Sequence, residues 1–155
     1  MKKRCLFSGL LFLLLFSTST TFSQSMQPPK AVLNHIALYV VDLQKSTRFY
    51  QDIIGLDTIP EPFHDGKHTW FSIGVKSHLH LIQGAATPLQ HPKNTHLCFS
   101  VASVPDFTRV LGKHHIEFEN WAGEKGAITN RVDGVKQIYF KDPDGYWIEI
   151  NDAKE

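Results

Sequence analysis

Two stretches of this chain repeat each other 61 positions apart, and that repeat limits the fold more than any other feature. NHIALYVVDLQKSTRFY begins at Asn34 and THLCFSVASVPDFTRVL begins at Thr95. In register, His35 meets His96, Ile36 meets Leu97, Leu38 meets Phe99, Val40 meets Val101 and Asp42 meets Ser103. Each copy opens with the two-residue alternation of a strand and changes to helical spacing after a residue able to cap a helix. The chain is therefore read as two copies of one unit.

Asp42 caps a first helix whose apolar positions Leu43, Phe49, Tyr50, Ile53 and Ile54 crowd one side, and Gly55 marks its end. Ser103 with Asp106 resembles a capping box, followed by Phe107, Val110 and Leu111 at helical spacing, with Gly112 as the expected stop. Short strands are expected after each helix. In the first half they run from Asp57 to Ile59, Thr69 to Ile73 and Ser77 to Ile82; in the second, from Ile116 to Asn120, Gln137 to Lys141 and Tyr146 to Asn151. Asp142-Pro143-Asp144-Gly145 supplies the tight turn between the last two. Each unit then reads strand, helix, strand, strand, strand, an α+β arrangement. One such unit leaves a sheet face uncovered, so two must pack together.

The repeat is preceded by a segment of another kind. Lys2, Lys3 and Arg4 form a basic start, Leu6 to Phe16 is an apolar run, and small polar residues follow to Ser23. That is the layout of a secretory signal peptide over residues 1–23, cut before Gln24, and too short to span a bilayer comfortably. Export to the periplasm or the extracellular space is expected, without stable membrane insertion. Cys5 lies ahead of the apolar run, the wrong side for a lipid-anchored cysteine. Residues 24–32, with Pro28 and Pro29, form an extended lead-in. Cleavage removes three cations, so the formal charge of +1 becomes a slight acidic excess and Cys98 remains as the single thiol. No intrachain disulfide can then form, and there is no basic surplus to hold nucleic acid.

Nine histidines are the unusual entry in the composition. Strand side chains alternate between faces, so parity sorts them. Ile36, Leu38 and Val40 form an apolar side, leaving His35, Ala37 and Tyr39 opposite. Leu97, Phe99 and Val101 likewise leave His96, Cys98 and Ser100. Leu79 and Leu81 leave His78 and His80, and Ile148 and Ile150 leave Trp147 and Glu149. One inner face thus carries histidines from three strands and a glutamate from a fourth, the donor set for a divalent transition metal such as Zn, Ni, Fe, Co or Mn. Four protein ligands leave open positions on an octahedral ion. The bland alternative is a solvated polar sheet face. Parity does not choose between His78 and His80.

These residues resemble those of the vicinal oxygen chelate superfamily, the metalloenzyme group that contains glyoxalase I, extradiol dioxygenases, methylmalonyl-CoA epimerase and fosfomycin resistance proteins. The resemblance runs from about Leu33 to Asp152, carried by NHIALYV, FYQDIIGL, HLHLIQG, THLCFSV and, most specifically, QIYFKDPDGYWIEIND. It implies two βαβββ modules, residues 33–88 and 93–152, whose curved mixed sheets enclose a metal site. Carried over by position, the ligands are His35, His80, His96 and Glu149. The L-x-L frame around His80 matches the I-x-I frame around Glu149, which leaves His78 to line the pocket or support the ligands. Glyoxalase I usually has Glu at the position of His80, and this chain departs from it there.

The activity implied is that of a lyase or isomerase of glyoxalase I type on a small substrate such as a 2-oxoaldehyde–thiol adduct. The metal would chelate two neighbouring substrate oxygens and stabilise an enediolate, while Glu149 moves a proton between adjacent carbons. Tyr39, Trp70, Gln137, Tyr139 and Trp147 are the expected pocket walls, and Arg131 the expected partner of an anionic group. His64 and His68 are expected near the mouth of the pocket, and His91, His114 and His115 on the surface. An Fe(II) ring-cleaving dioxygenase is the alternative enzyme, and a non-catalytic binder of an antibiotic or toxin the alternative from another class. The resemblance also implies a homodimer.

Overall fold

The computed structural model describes residues 30–154. The expected signal peptide and residues 24–29 of the lead-in lie outside the described residues. Among the described residues, no helix is long and apolar enough to cross a membrane.

The first module runs β1 (His35–Val40), α1 (Leu43–Phe49), β2 (Thr58–Ile59), β3 (His68–Ser72) and β4 (His78–Gln83). The second runs β5 (His96–Ser100), α2 (Val104–Lys113), β6 (Thr129–Asn130), β7 (Lys136–Lys141) and β8 (Trp147–Asn151). Each builds a four-stranded mixed sheet, in the orders β1-β4-β3-β2 and β5-β8-β7-β6. The first and last strands of each unit pair in parallel, and the other pairs are antiparallel. β1 and β5 are therefore edge strands. The sheets remain open.

Both helices start where the sequence places them. The Asp42 side chain accepts from the Lys45 amide at 2.9 Å, and the Ser103 hydroxyl accepts from the Asp106 amide at 3.3 Å. Beyond Phe49 the first helix widens into a π-helical turn, Tyr50–Ile54, closed by Gly55 in the left-handed conformation. Gly112 does not stop the second helix, which continues to Lys113; the left-handed position falls on His115. The strand expected from Ile116 to Asn120 is a further departure. It contributes only bridges at Glu119, to Lys125 and to Tyr139, and Thr129–Asn130 forms the regular strand beside β7 instead.

The core joins the two modules. Leu38, Val40, Phe49, Phe71, Leu79 and Leu81 of the first pack in one cluster with Phe107, Leu111, Ile138, Phe140, Ile148 and Ile150 of the second. A polar joint reinforces it at the β7–β8 turn. Asp144 accepts from the Val41 amide at 2.7 Å and from the Ser46 hydroxyl, while Asp142 accepts from the Tyr50 hydroxyl at 2.8 Å. Both aspartates are buried. Gly145 has φ 89°, and a Cβ there would run into the carbonyl of Leu89, so the turn requires glycine.

Candidate functional site

Strand register turns the repeat into two equivalent half-sites. On β1 and β4, Ala37 pairs with His80 and His35 with His78. On β5 and β8, Cys98 pairs with Glu149 and His96 with Trp147. His80 therefore stands to His35 as Glu149 stands to His96, each diagonally across a parallel pair. His78 occupies the place equivalent to Trp147. The third strand extends the correspondence, because Trp70 is opposite His80 and Tyr139 is opposite Glu149.

The first half-site is a stack of rings. His35 and His80 lie with centroids 4.3 Å apart and planes at 9°. Trp70 covers His80 at 3.9 Å and 2°. The small Ala37 beside His80 leaves room for the His35 ring to lean over it. His35 Nδ1 is 2.8 Å from Asn34 Oδ1, and because an amide oxygen only accepts, Nδ1 carries a proton, so that in the neutral ring Nε2 is the nitrogen with the lone pair. His80 Nε2 is buried with no hydrogen-bond partner. Burial, and then the charges of His35 and His78, lower the His80 pKa and keep the ring neutral.

The second half-site is a hydrogen-bonded carboxylate. Glu149, 6% exposed, accepts from the Tyr139 hydroxyl at 2.6 Å and from Asn151 Nδ2 at 3.0 Å. Burial alone raises its carboxyl, but the hydrogen bonds from Tyr139, Asn151 and Cys98, with the charge of His96, bring it below the ordinary glutamate value. Burial, and then the same carboxylate, hold the Tyr139 hydroxyl protonated well above the usual phenol range. Partial desolvation, then Glu149, pushes the Cys98 thiol up to about 12, so it sits there as a thiol rather than a thiolate. His96 Nδ1 is 2.7 Å from the Lys93 carbonyl, which fixes the proton there. His96 Nε2 then faces Glu149 Oε2 at 3.1 Å, and two acceptors at that distance require a proton or a cation between them.

These observations fit a divalent metal. In three imidazoles Nε2 is free of any hydrogen-bond donation to protein carbonyls, and the ionised carboxylate is already paid for by its donors. Within one chain, however, the halves stay apart. Among the described residues, no three His, Cys, Asp or Glu side chains come close enough to hold one ion.

The expected pocket walls divide. Gln137 and Tyr139 are buried on the inner face beside Asn151 and Glu149. Trp147 is pinned by Nε1 donating to the His91 carbonyl at 2.9 Å, with the Lys93 and Lys141 ammonium groups about its ring at 5.1 and 4.8 Å. Tyr39 is 49% exposed on the edge strand, its ring lying over Gly84. His78 is half-buried, its ring 6.0 Å from that of His80. Arg131 pairs with Asp133 at 2.6 Å on the surface. His68 is bound to Asp65 at 2.9 Å, His64 is exposed, and His91 stacks on Tyr146 rather than lying free at the surface. Sequence reasoning missed Asn34, Lys93 and Asn151, which orient His35, His96 and Glu149. Of these only Asn151 carries a signal in the chain, its two-residue spacing from Glu149 on one strand.

A sequence profile of the Glyoxalase/Bleomycin resistance protein/Dioxygenase superfamily matches residues 32–150. The chain belongs to this superfamily. Similar proteins include glyoxylase I 4 of Arabidopsis thaliana, 29% identical over 124 residues that cover 76% of this chain and 68% of the plant protein. Metallothiol transferase FosB of Staphylococcus epidermidis is 28% identical, covering 77% and 80% of the two chains. Among solved structures, a glyoxalase/dioxygenase from Nostoc punctiforme superposes with TM-score 0.65 at 26% identity, over 80% of this chain and 92% of that one. The fosfomycin resistance protein FosX from Listeria monocytogenes gives 0.64 at 25%, over 81% and 96%. The expected two-module architecture is thus the observed one.

Proposed function

We propose that this protein is a divalent-metal-dependent lyase or isomerase of glyoxalase I type, with His35, His80, His96 and Glu149 as the ligands and with each site assembled from two chains. The observation that carries the reading is the pair of register-equivalent half-sites, His35 with His80 and His96 with Glu149, in which the His80 nitrogen has no partner and the His96 nitrogen faces a carboxylate oxygen. The register favours His80 over His78, because only His80 takes the place that Glu149 takes in the second module. Assembly between chains is supported by the separation of the halves. It is supported too by β1 and β5, edge strands on which His35, Ala37, Tyr39, Cys98 and Ser100 are exposed in a single chain.

When bound, the ion supplies Lewis-acid stabilisation to negative charge developing on two neighbouring substrate oxygens. Glu149 is the base in this reading. Its carboxylate is ionised in the resting protein and is aimed by Tyr139 and Asn151, so it can take a proton from a carbon beside the chelated oxygens and return it to the next. Trp147, Tyr139 and Gln137 line the inner face and keep water from that proton. The basic start and apolar run of residues 1–23 support export of the mature domain.

A mixing experiment tests the ligand set and the pairing together. His35→Ala and Glu149→Gln each abolish stoichiometric metal binding. Mixed and reassociated, hybrid dimers regain one intact site in two, because one chain supplies its first module and the other its second. Metal content that stays normal in both single variants overturns the ligand set. Absence of recovery in verified hybrids overturns pairing between chains.

A further inference from the structure

We infer that Trp70 is a positioning residue for His80, holding the imidazole by its flat face in the way that hydrogen bonds hold the other proposed ligands. The inference rests on the reading of His80 as a ligand. The other three are each oriented by a polar partner: His35 by Asn34 at 2.8 Å, His96 by the Lys93 carbonyl at 2.7 Å, and Glu149 by Tyr139 and Asn151. His80 has no such partner. Its Nε2 is buried without a hydrogen bond, and none of the hydrogen bonds among the described residues holds its ring. An imidazole so placed has a broad rotation about its terminal torsion unless packing restricts it.

Packing does restrict it. His80 lies between two parallel plates, the Trp70 indole at 3.9 Å and 2° and the His35 ring at 4.3 Å and 9°. Any swing of the ring drives its edge into one of them. The repeat supplies an independent argument, because Trp70 occupies on β3 the place that Tyr139 occupies on β7, each directly opposite the proposed ligand on the neighbouring strand. Tyr139 serves its ligand through a hydroxyl, which suits a carboxylate. Trp70 serves its ligand through a ring face, which suits an imidazole. The two modules thus share one positioning place with the chemistry changed to match a His-for-Glu difference in the ligand.

The indole nitrogen argues that the face is what matters. Trp70 Nε1 is buried with no acceptor, so the N–H itself does nothing for the stack. The face turned to His80 is also closed to substrate, and Phe63 stands edge-on to the indole at 6.1 Å and 80°. With that face Trp70 walls the ligand.

Cobalt(II) titration of the purified protein tests this without any activity assay. Wild-type protein and Trp70→Phe, which keeps an aromatic plate, are expected to bind Co(II) within about threefold of each other and to give the same visible absorption spectrum at saturation. Trp70→Leu, or Trp70→Met if the first does not fold, is expected to lose affinity roughly tenfold and to shift that spectrum, because the freed ring changes the ligand geometry. A purely structural Trp70 lowers melting temperature but leaves the saturated spectrum unchanged, and that result overturns the inference. A His80→Ala protein that keeps the wild-type spectrum overturns the ligand reading itself, and the positioning role with it.

Discussion

Replacing Asp142 by asparagine probes the joint that sets how the two modules sit in one chain. Asp142 is 6% exposed in the β7–β8 turn. One carboxylate oxygen accepts from the amides of Asp144 and Tyr146 at 2.9 and 2.8 Å, and the other accepts from the Tyr50 hydroxyl at 2.8 Å. Burial dominates these bonds and, with the neighbouring Asp144, raises the carboxyl from 3.8 to about 6. The folded state therefore holds a proton that the unfolded chain has released, between about pH 4 and pH 6. Stability falls as pH rises through that window and levels off above it. At about 1.4 kcal/mol for each pH unit, the full cost of ionising the buried group is on the order of 3 kcal/mol. Asparagine keeps the oxygen that receives the two amides and offers Nδ2 to the tyrosine oxygen, so it imitates the protonated acid at every pH. Urea unfolding near pH 4.5 and near pH 7.5 should show Asp142→Asn gaining on the wild type by about 2 kcal/mol between the two conditions. Titrating groups remote from Asp142 are common to both proteins and cancel in the comparison. A difference that does not change with pH, or a variant less stable than wild type near pH 7.5, would refute the reasoning, since it would show that the three hydrogen bonds outweigh burial.

Removing the Tyr139 hydroxyl with Tyr139→Phe takes the 2.6 Å hydrogen bond from Glu149, and it should weaken metal binding about 10-fold to 100-fold in competition with a chromophoric chelator; unchanged affinity would remove Tyr139 from the ligand's support. Gly145→Ala and Gly134→Ala both place a side chain at positive φ, but only the first meets backbone, at Leu89. The Gly145 variant should lose at least about 2 kcal/mol and the Gly134 variant about 1 kcal/mol in thermal melts, and equal losses would show that the close approach to Leu89 is not what the turn depends on.

Much of this arrangement is legible in the chain because strand parity and helix capping are local. Ile36, Leu38 and Val40 alternate with His35, Ala37 and Tyr39 whatever the partner strand, and Asp42 and Ser103 cap helices through amides three residues away. The internal repeat then identifies two equivalent units, and the polar sheet faces, one carrying His35 and His80 and the other His96 and Glu149, follow from it. Local rules fail where pairing decides the outcome. Residues 116–120 have the composition of a strand, yet only Glu119 bridges, because Thr129–Asn130 takes the neighbouring place beside β7. Gly112 has the form of a helix stop, but the helix continues past it and His115 turns instead.

By itself, then, the sequence determines the two-unit plan, the apolar and polar faces of each strand, and which residue types the inner face offers. Parity is blind to a shift of two residues along one face, so His80 is chosen over His78 in the sequence only through the resemblance, and the tertiary structure adds the diagonal register that makes His80 the counterpart of Glu149. It alone also reveals the partners of the site residues: Trp70 on His80, Asn34 on His35 and the Lys93 carbonyl on His96. Finally, it decides that the two halves stand apart in one chain, because the shared core and the Asp142–Asp144 joint fix the modules through contacts between residues roughly a hundred positions apart.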